Sequence, residues 1–413
     1  MRLPPTLYVH TPFCRAKCRY CAFFSMPVGP GGVAPAILDR YLAVLEAEMD
    51  RQAKTWAGNL ALGPAPSVFF GGGTPSLLGP AGLARVLSAL RERFPIALDA
   101  EITLEANPDS ATPEFLAAAH HLGVNRLSLG AQSLDDRALA ALGRAHNARA
   151  VRQTMHDARR AGFENIGLDL IFGLPGQTPA DWLSDLRRVL DLAPQHLSCY
   201  GLGIEPGTPL ARDAAALAAL PGEDAQAEMF LRGAELLEAA GYAQYEISNF
   251  ARGPVGPGAG PDWRCRHNLA CWRGRDVLGF GPAACSTITL RHRSPASPAG
   301  PAGAKAMRWT NPANLSAWEA LVESGRAGEH GREELAPELR AREALMLALR
   351  TTEGLDLAHH RECFGQDIRA NQAALLDQLR HAGLAELSGT WLRLTRAGML
   401  VSSSVIRALA FED

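Results

Sequence analysis

Leu7-Tyr8-Val9-His10-Thr11-Pro12-Phe13-Cys14-Arg15-Ala16-Lys17-Cys18-Arg19-Tyr20-Cys21-Ala22-Phe23-Phe24-Ser25 is the stretch from which the rest of the chain is read. Three of the eight cysteines fall in it, spaced C-x3-C-x2-C. Random placement would give about 0.003 such triplets, so the spacing needs a chemical reason. Three thiolates on a short loop make a soft-ligand site, suited to zinc or an iron–sulfur cluster. A structural zinc takes four protein ligands, and no second Cys/His pair follows at the usual spacing. Position 23, where a fourth cysteine would continue the run, is Phe23. Three ligands on a four-iron cluster leave one iron open to an exchangeable ligand. The competing readings are a zinc knuckle and buried cysteines that ligate nothing.

The 413 residues predict two or three domains, or one barrel-sized domain with a smaller one. Apolar content of 47% and charged content of 20% describe an ordinary globular chain with ample core. The net charge of −2 argues against a broad nucleic-acid or membrane-surface footprint, while leaving room for transient membrane association. Neither a transmembrane run nor a signal peptide is expected. Cysteines that must remain thiolate imply a reducing compartment, so the cytoplasm is expected.

Strands are predicted at Leu7–His10, Ser67–Phe70, Glu101–Glu105, Asn125–Leu129, Asn165–Phe172 and His196–Leu202, with helical periodicity between them. Strands alternating with helices imply parallel pairing and right-handed crossovers, hence an α/β barrel or an open part of one. In such folds chemistry sits at the C-terminal strand ends, and each unusual residue cluster here follows a strand. Residues 1–250 are expected as the barrel and 251–312 as a linker and cap with Gly/Pro-rich stretches 253–261 and 294–303. Residues 313–413 are expected as helices Glu334–Thr351 and Ile368–Ala382, a small β-wing and a last helix Met399–Leu409. That order resembles a winged helix. No basic patch marks it for nucleic acid, so it reads as a packing or partner domain.

The cysteine spacing resembles the cluster loop of radical S-adenosylmethionine (SAM) proteins. That resemblance implies a partial (β/α)6 barrel and a [4Fe-4S] cluster on Cys14, Cys18 and Cys21. It also implies SAM chelating the fourth iron, and one-electron cleavage of the sulfonium. Gly71-Gly72-Gly73-Thr74-Pro75 looks like the loop that lies under the SAM ammonium, with Gly72, Gly73 and Thr74 as its contacts. Taken alone, the same glycines are equally a tight strand-to-helix turn. Glu105 ends the third strand and offers a carboxylate to an ammonium or ribose, Gln132 follows the fourth, and Arg144 could pair with a carboxylate bidentately. Asp169 is a lone acid in an apolar strand, costly unless it faces a site. Tyr20, by resemblance, would lie against adenine, and Tyr8 sits just ahead of the loop.

Within that superfamily the chain is most similar to the oxygen-independent coproporphyrinogen III oxidases and their shorter relatives, the heme chaperones. The stretches Asn125–Ser133, Asp169–Thr178, Ile204–Thr208 and Tyr245–Ala251 carry the resemblance. The oxidases continue the loop to C-x3-C-x2-C-x-C and carry a longer N-terminal extension; Phe23 and the short start here are like the chaperones. The implied function is to bind heme and pass it to an acceptor protein, with an electron donor for the cluster and without coproporphyrinogen oxidation. The alternatives are the oxidase itself and a radical SAM methyltransferase. The family's His-Asn-x-x-Tyr-Trp stretch appears as His267-Asn268-Leu269-Ala270-Cys271-Trp272, with Cys271 for tyrosine, and Cys285 stands where histidine is usual. His267 and Cys271, four apart, are candidate heme ligands; free cysteines are also often apolar fillers.

Overall fold

A computed structural model describes residues 4–60, 63–253, 261–290 and 305–410. The stretch 294–303, and 253–261 apart from its two ends, lie outside the described residues.

Six parallel strands carry the fold: β1 (Thr6–Thr11), β2 (Ala65–Gly72), β3 (Ile96–Ala106), β4 (Arg126–Gln132), β5 (Asn165–Phe172) and β6 (His196–Gly201), paired in chain order. Helices cross between them: α1 (Pro35–Thr55), α2 (Gly79–Arg93), α3 (Pro113–His121), α4 (Asp136–Ala141), α5 (Ala148–Arg160) and α6 (Pro179–Leu190). Their starts are locally encoded. Thr112 caps α3 through the Phe115 amide, and Thr178 with Asp181 forms a capping box on α6.

The two faces of this sheet differ. Residues such as Leu7, Val9, Phe70, Leu104, Leu127, Leu168 and Leu197 are buried in one core with α1, α2 and the following helices. Their strand neighbours Thr103, Glu105, Arg126, Ser128, Asp169, His196 and Ser198 point the other way and line the concave interior. With a side-chain period of two, the strands send mainly apolar groups to the outer face and mainly polar groups inward, Phe69 on β2 being an apolar exception. The interior is therefore a polar chamber opening at the C-terminal strand ends.

The sheet extends beyond the expected six strands. In the described residues it has twelve. After α7 (Glu223–Ala239), β7 (Tyr242–Gln244) and β8 (Asn249–Arg252) continue it past β6 in antiparallel fashion. After α8 (Arg266–Trp272), β9 (Val277–Phe280) pairs parallel to the other side of β1, followed by β10 (Cys285–Thr289), β11 (Ala306–Thr310) and β12 (Glu333–Leu335). The region expected as linker and cap thus supplies strands to the same sheet. α8 sits at the chamber's N-terminal end, where the Cys265 thiol and the His267 amide both reach Glu101, itself 3.6 Å from the buried Arg126.

After α9 (Leu315–Glu323) the C-terminal unit has its own core around Leu345, Leu349, Leu376, Leu392 and Leu409. Helices α10 (Pro337–Ala348), α11 (Leu357–Phe364), α12 (Ile368–Asn371) and α13 (Ala373–His381) pack with a three-stranded wing whose first strand lies between α10 and α11. The wing comprises β13 (Leu355–Asp356), β14 (Ala385–Ser388) and β15 (Trp391–Leu394), with β15 central. Helices α14 (Arg396–Leu400) and α15 (Ser402–Ala410) close the unit. This is the winged-helix-like arrangement expected, with α11 added and the helix expected over Ile368–Ala382 divided at Gln372.

Candidate functional site

Cys14, Cys18 and Cys21 lie on the loop after β1, all partly exposed and all free. The loop is held at both ends. Phe13-Cys14 forms a short parallel ladder with Met26-Pro27, and His10 on β1 reaches across to the carbonyl of Phe24 through Nε2 at 2.9 Å. The Tyr8 hydroxyl donates to His10 Nδ1 at 3.1 Å, which fixes the neutral tautomer. Burial pushes the Cys21 thiol up, and the nearby Cys18 and Cys14 add to that. Three such thiols in one place are readily deprotonated by a metal, which supplies the missing positive charge.

The loop covers a cavity of about 740 Å³ at the C-terminal ends of β1–β6, within the size range of small-molecule sites. Besides the three cysteines, Tyr20, Gly72, Gly73, Glu105, Gln132, Arg144 and Asp169 all line it. The fold thus gathers these from six separate segments. The triple glycine has a steric reason: Gly72 has φ +106°, and a Cβ there would lie 2.6 Å from the His10 ring. A Cβ on Gly73 would meet the Phe13 carbonyl at 2.6 Å. Both side-chain positions are already filled by the strand and loop that carry the cysteines.

Glu105 accepts from the Gly72 amide at 3.2 Å. Burial, with Asp169 nearby, raises its carboxyl to about 8. Asp169 is likewise raised by burial, partly offset by its hydrogen bonds to Ser198 and Ser128. Two buried carboxyls facing a cavity favour a ligand that brings positive charge. Arg144 lies opposite. Its Nη1 reaches Cys18 Sγ at 3.2 Å, its Nη2 reaches Asn107 Oδ1 at 2.5 Å and the Gly130 carbonyl at 2.8 Å, and its buried Nε has no hydrogen-bond partner among the described residues. Gln132 sits on a β-bulge between β4 and β5 with φ +64°, strained backbone of the kind found beside ligands. Tyr20 packs with Leu142, Ile171 and Leu174 as an apolar wall. Acids at the floor, an arginine with a spare donor, a flat apolar wall and three thiols at the rim fit a cationic amino acid–nucleoside beside a cluster.

Other expected residues sit elsewhere. Thr74 is turned away from the cavity, donating to Cys14 Sγ at 3.5 Å and accepting from Asn107 Nδ2 at 2.9 Å. Tyr8 lies one layer deeper, stacked on Phe69. His267 is not brought to the cavity. It is buried against Phe69 and Tyr8, with Nδ1 3.4 Å from Ser67 Oγ, and burial pushes it down to about 4. Burial, with Cys285 adding, raises Cys271 to about 11. His267 is buried, whereas Cys271 is partly exposed, and the two do not line the cluster cavity. Asn107, Ser128 and Ser198 were missed by sequence reasoning. The polar residues recurring at every second strand position were the signal that could have found the two serines.

A (β/α) sheet with three loop cysteines at the strand ends defines the radical SAM class, and residues 8–189 match the Radical SAM superfamily. Residues 335–401 match the HemN C-terminal domain. The fold is similar to that of coproporphyrinogen III oxidase (HemN) from Escherichia coli, with a TM-score of 0.78 and 24% identity over 99% of this chain and 90% of that one. The chain is 35% identical over 409 residues to the heme chaperone HemW of Mycobacterium tuberculosis, covering 98% of this chain and 95% of that protein. It is 38% identical to HemW of Escherichia coli over 70% of this chain and 72% of that one. The chain belongs to the HemW family of radical SAM proteins.

Proposed function

We propose that this protein is a heme chaperone: it binds heme and hands it to an acceptor protein, on a scaffold loaded with a [4Fe-4S] cluster and SAM. The observation that carries this reading is the likeness to the Mycobacterium tuberculosis heme chaperone along nearly the whole of both chains. Phe23 supports it, since the side chain beside the cluster loop is an exposed aromatic ring and offers no fourth thiol.

Cys14, Cys18 and Cys21 would hold the cluster, leaving one iron for the amino and carboxylate groups of SAM. When bound, the pair supplies a one-electron route to cleavage of the sulfonium. The chain's own residues would position and shield it. Glu105 and Asp169 would offer carboxylates to the ammonium and ribose, Arg144 would pair with the carboxylate, and Tyr20 would flank the adenine. Gly72 and Gly73 let the backbone approach. Thr74 orients Cys14, and Tyr8 with His10 holds the loop. An electron donor would supply the cluster, and the acceptor would be a heme protein. No helix among the described residues is long and apolar enough to cross a membrane. Thiolate ligands need a reducing compartment, which favours the cytoplasm.

The test is an anaerobic assay of reconstituted protein with SAM and coproporphyrinogen III, alongside a heme titration. Heme binding without formation of protoporphyrinogen IX is expected. Clear turnover of the porphyrinogen would replace the chaperone reading with the oxidase.

A further inference from the structure

We propose that heme lies across the mouth of the cluster cavity, its macrocycle against Phe23 and the ring of Tyr200 and a carboxylate toward Lys17. The proposal rests on the heme-chaperone reading and gives that function a place.

Phe23 and Tyr200 line this cavity, yet Phe23 is 71% exposed and Tyr200 is 42% exposed, so both belong to its rim. A single exposed aromatic is ordinary; two at one mouth, with the exposed Ile204 in the loop that follows Tyr200, make an apolar seat. Neither ring owes its position to packing of its own. Phe24, the next residue, is anchored by its ring on His10 and by its carbonyl to His10 Nε2. The Phe23 carbonyl is itself bound by Lys17 Nζ at 3.1 Å. The backbone on both sides of the Phe23 ring is thus held, so a ligand has only the ring's own rotamers to order when it arrives. The Tyr200 hydroxyl is turned inward toward Ser198 and Asp169, leaving the ring as its exposed part.

The occupant follows from shape and charge. A flat aromatic macrocycle matches two exposed rings. Heme also carries two carboxylates, and Lys17 lines the same cavity with no ion pair among the described residues, whereas Arg15 is engaged by Asp109. His267, buried beneath Tyr8 and Phe69, reaches none of this.

The experiment is an anaerobic heme titration of the full chain with cluster and SAM loaded, read by Soret absorbance. Phe23→Ala and Tyr200→Ala should each weaken heme binding by about tenfold or more, from lost apolar contact. Phe23→Trp should keep binding, because it keeps the platform. Leu98→Ser, which removes a fully exposed leucine outside the cavity, should leave binding unchanged and so controls for heme adhering to any apolar surface. Equal iron content in all variants excludes collapse of the loop. Alanine variants that bind like the parent would overturn the seat while leaving the chaperone reading intact. Variants that bind heme normally but accept electrons more slowly would overturn it too, making the patch a donor-docking surface. If the parent binds no heme, the chaperone reading falls and the seat with it.

Discussion

Arg144 donates through Nη1 to the sulfur of Cys18 at 3.2 Å, while its Nη2 bridges Asn107 and the carbonyl of Gly130. One guanidinium therefore ties the cysteine loop to the ends of β3 and β4. A lysine keeps the charge but cannot serve three acceptors in a fixed plane. Arg144→Lys should weaken SAM binding by about tenfold or more and speed loss of iron to a chelator. Calorimetry and an iron-release time course check this; unchanged values in both would remove the residue from the site.

SAM binding should depend on pH through Glu105. Its carboxyl is raised by burial and Asp169 to about 8, so below that pH it is protonated in the free protein. A cationic ligand favours the ionised form, so binding releases a proton and weakens as pH falls. The loss approaches about tenfold per pH unit once the group is protonated in the free state. Titration in buffers of different ionisation enthalpy should reveal the released proton, and Glu105→Gln should flatten the profile.

Glu48 on α1 has a structural role. Its Oε2 accepts from the Gly281 amide at 2.8 Å and Trp318 Nε1 at 3.1 Å, and its Oε1 accepts from Asn311 Nδ2 at 2.6 Å. Burial, partly offset by these donors, raises it from 4.5 to about 7. The folded state therefore holds a proton that the unfolded chain releases. This contribution to stability is complete below about pH 4.5 and is lost as pH rises through about 7, by up to about 3 kcal/mol. Glu48→Gln should remove that slope and cost about 1–3 kcal/mol, because an amide cannot accept from all three donors. Chemical denaturation at several pH values measures both.

The cysteines can be assigned by reconstitution. About four irons and four sulfides per chain are expected, lost on changing Cys14, Cys18 or Cys21 to Ala and retained on changing Cys271 or Cys285. A single zinc in place of iron and sulfide would return the loop to the knuckle reading.

The cysteine loop was legible because metal ligation imposes a spacing that folding alone does not. The six core strands were legible from their apolar runs, and Asp169 from its expense in such a run. β9 was not: Val277-Leu278-Gly279-Phe280 is four residues whose partner, Thr6–Val9, is distant in sequence, so only the tertiary fold reveals the pairing. The polar interior escaped because each strand was read as an apolar run, although Thr103 with Glu105, and His196 with Ser198, alternate at period two. His267 and Cys271 show the opposite limit. Helical spacing places them on one turn, but it does not say that the histidine meets Ser67 and Phe69 beneath the chamber.

The most direct measurement of the central claim is heme transfer. Protein loaded with cluster, SAM and one equivalent of heme is freed of unbound heme, then mixed anaerobically with the apo form of a heme protein. Heme should leave this chain and appear in the acceptor with recovered activity, while added coproporphyrinogen III is left unoxidised. Heme that never loads, or that loads and stays while coproporphyrinogen III is oxidised, would contradict the account.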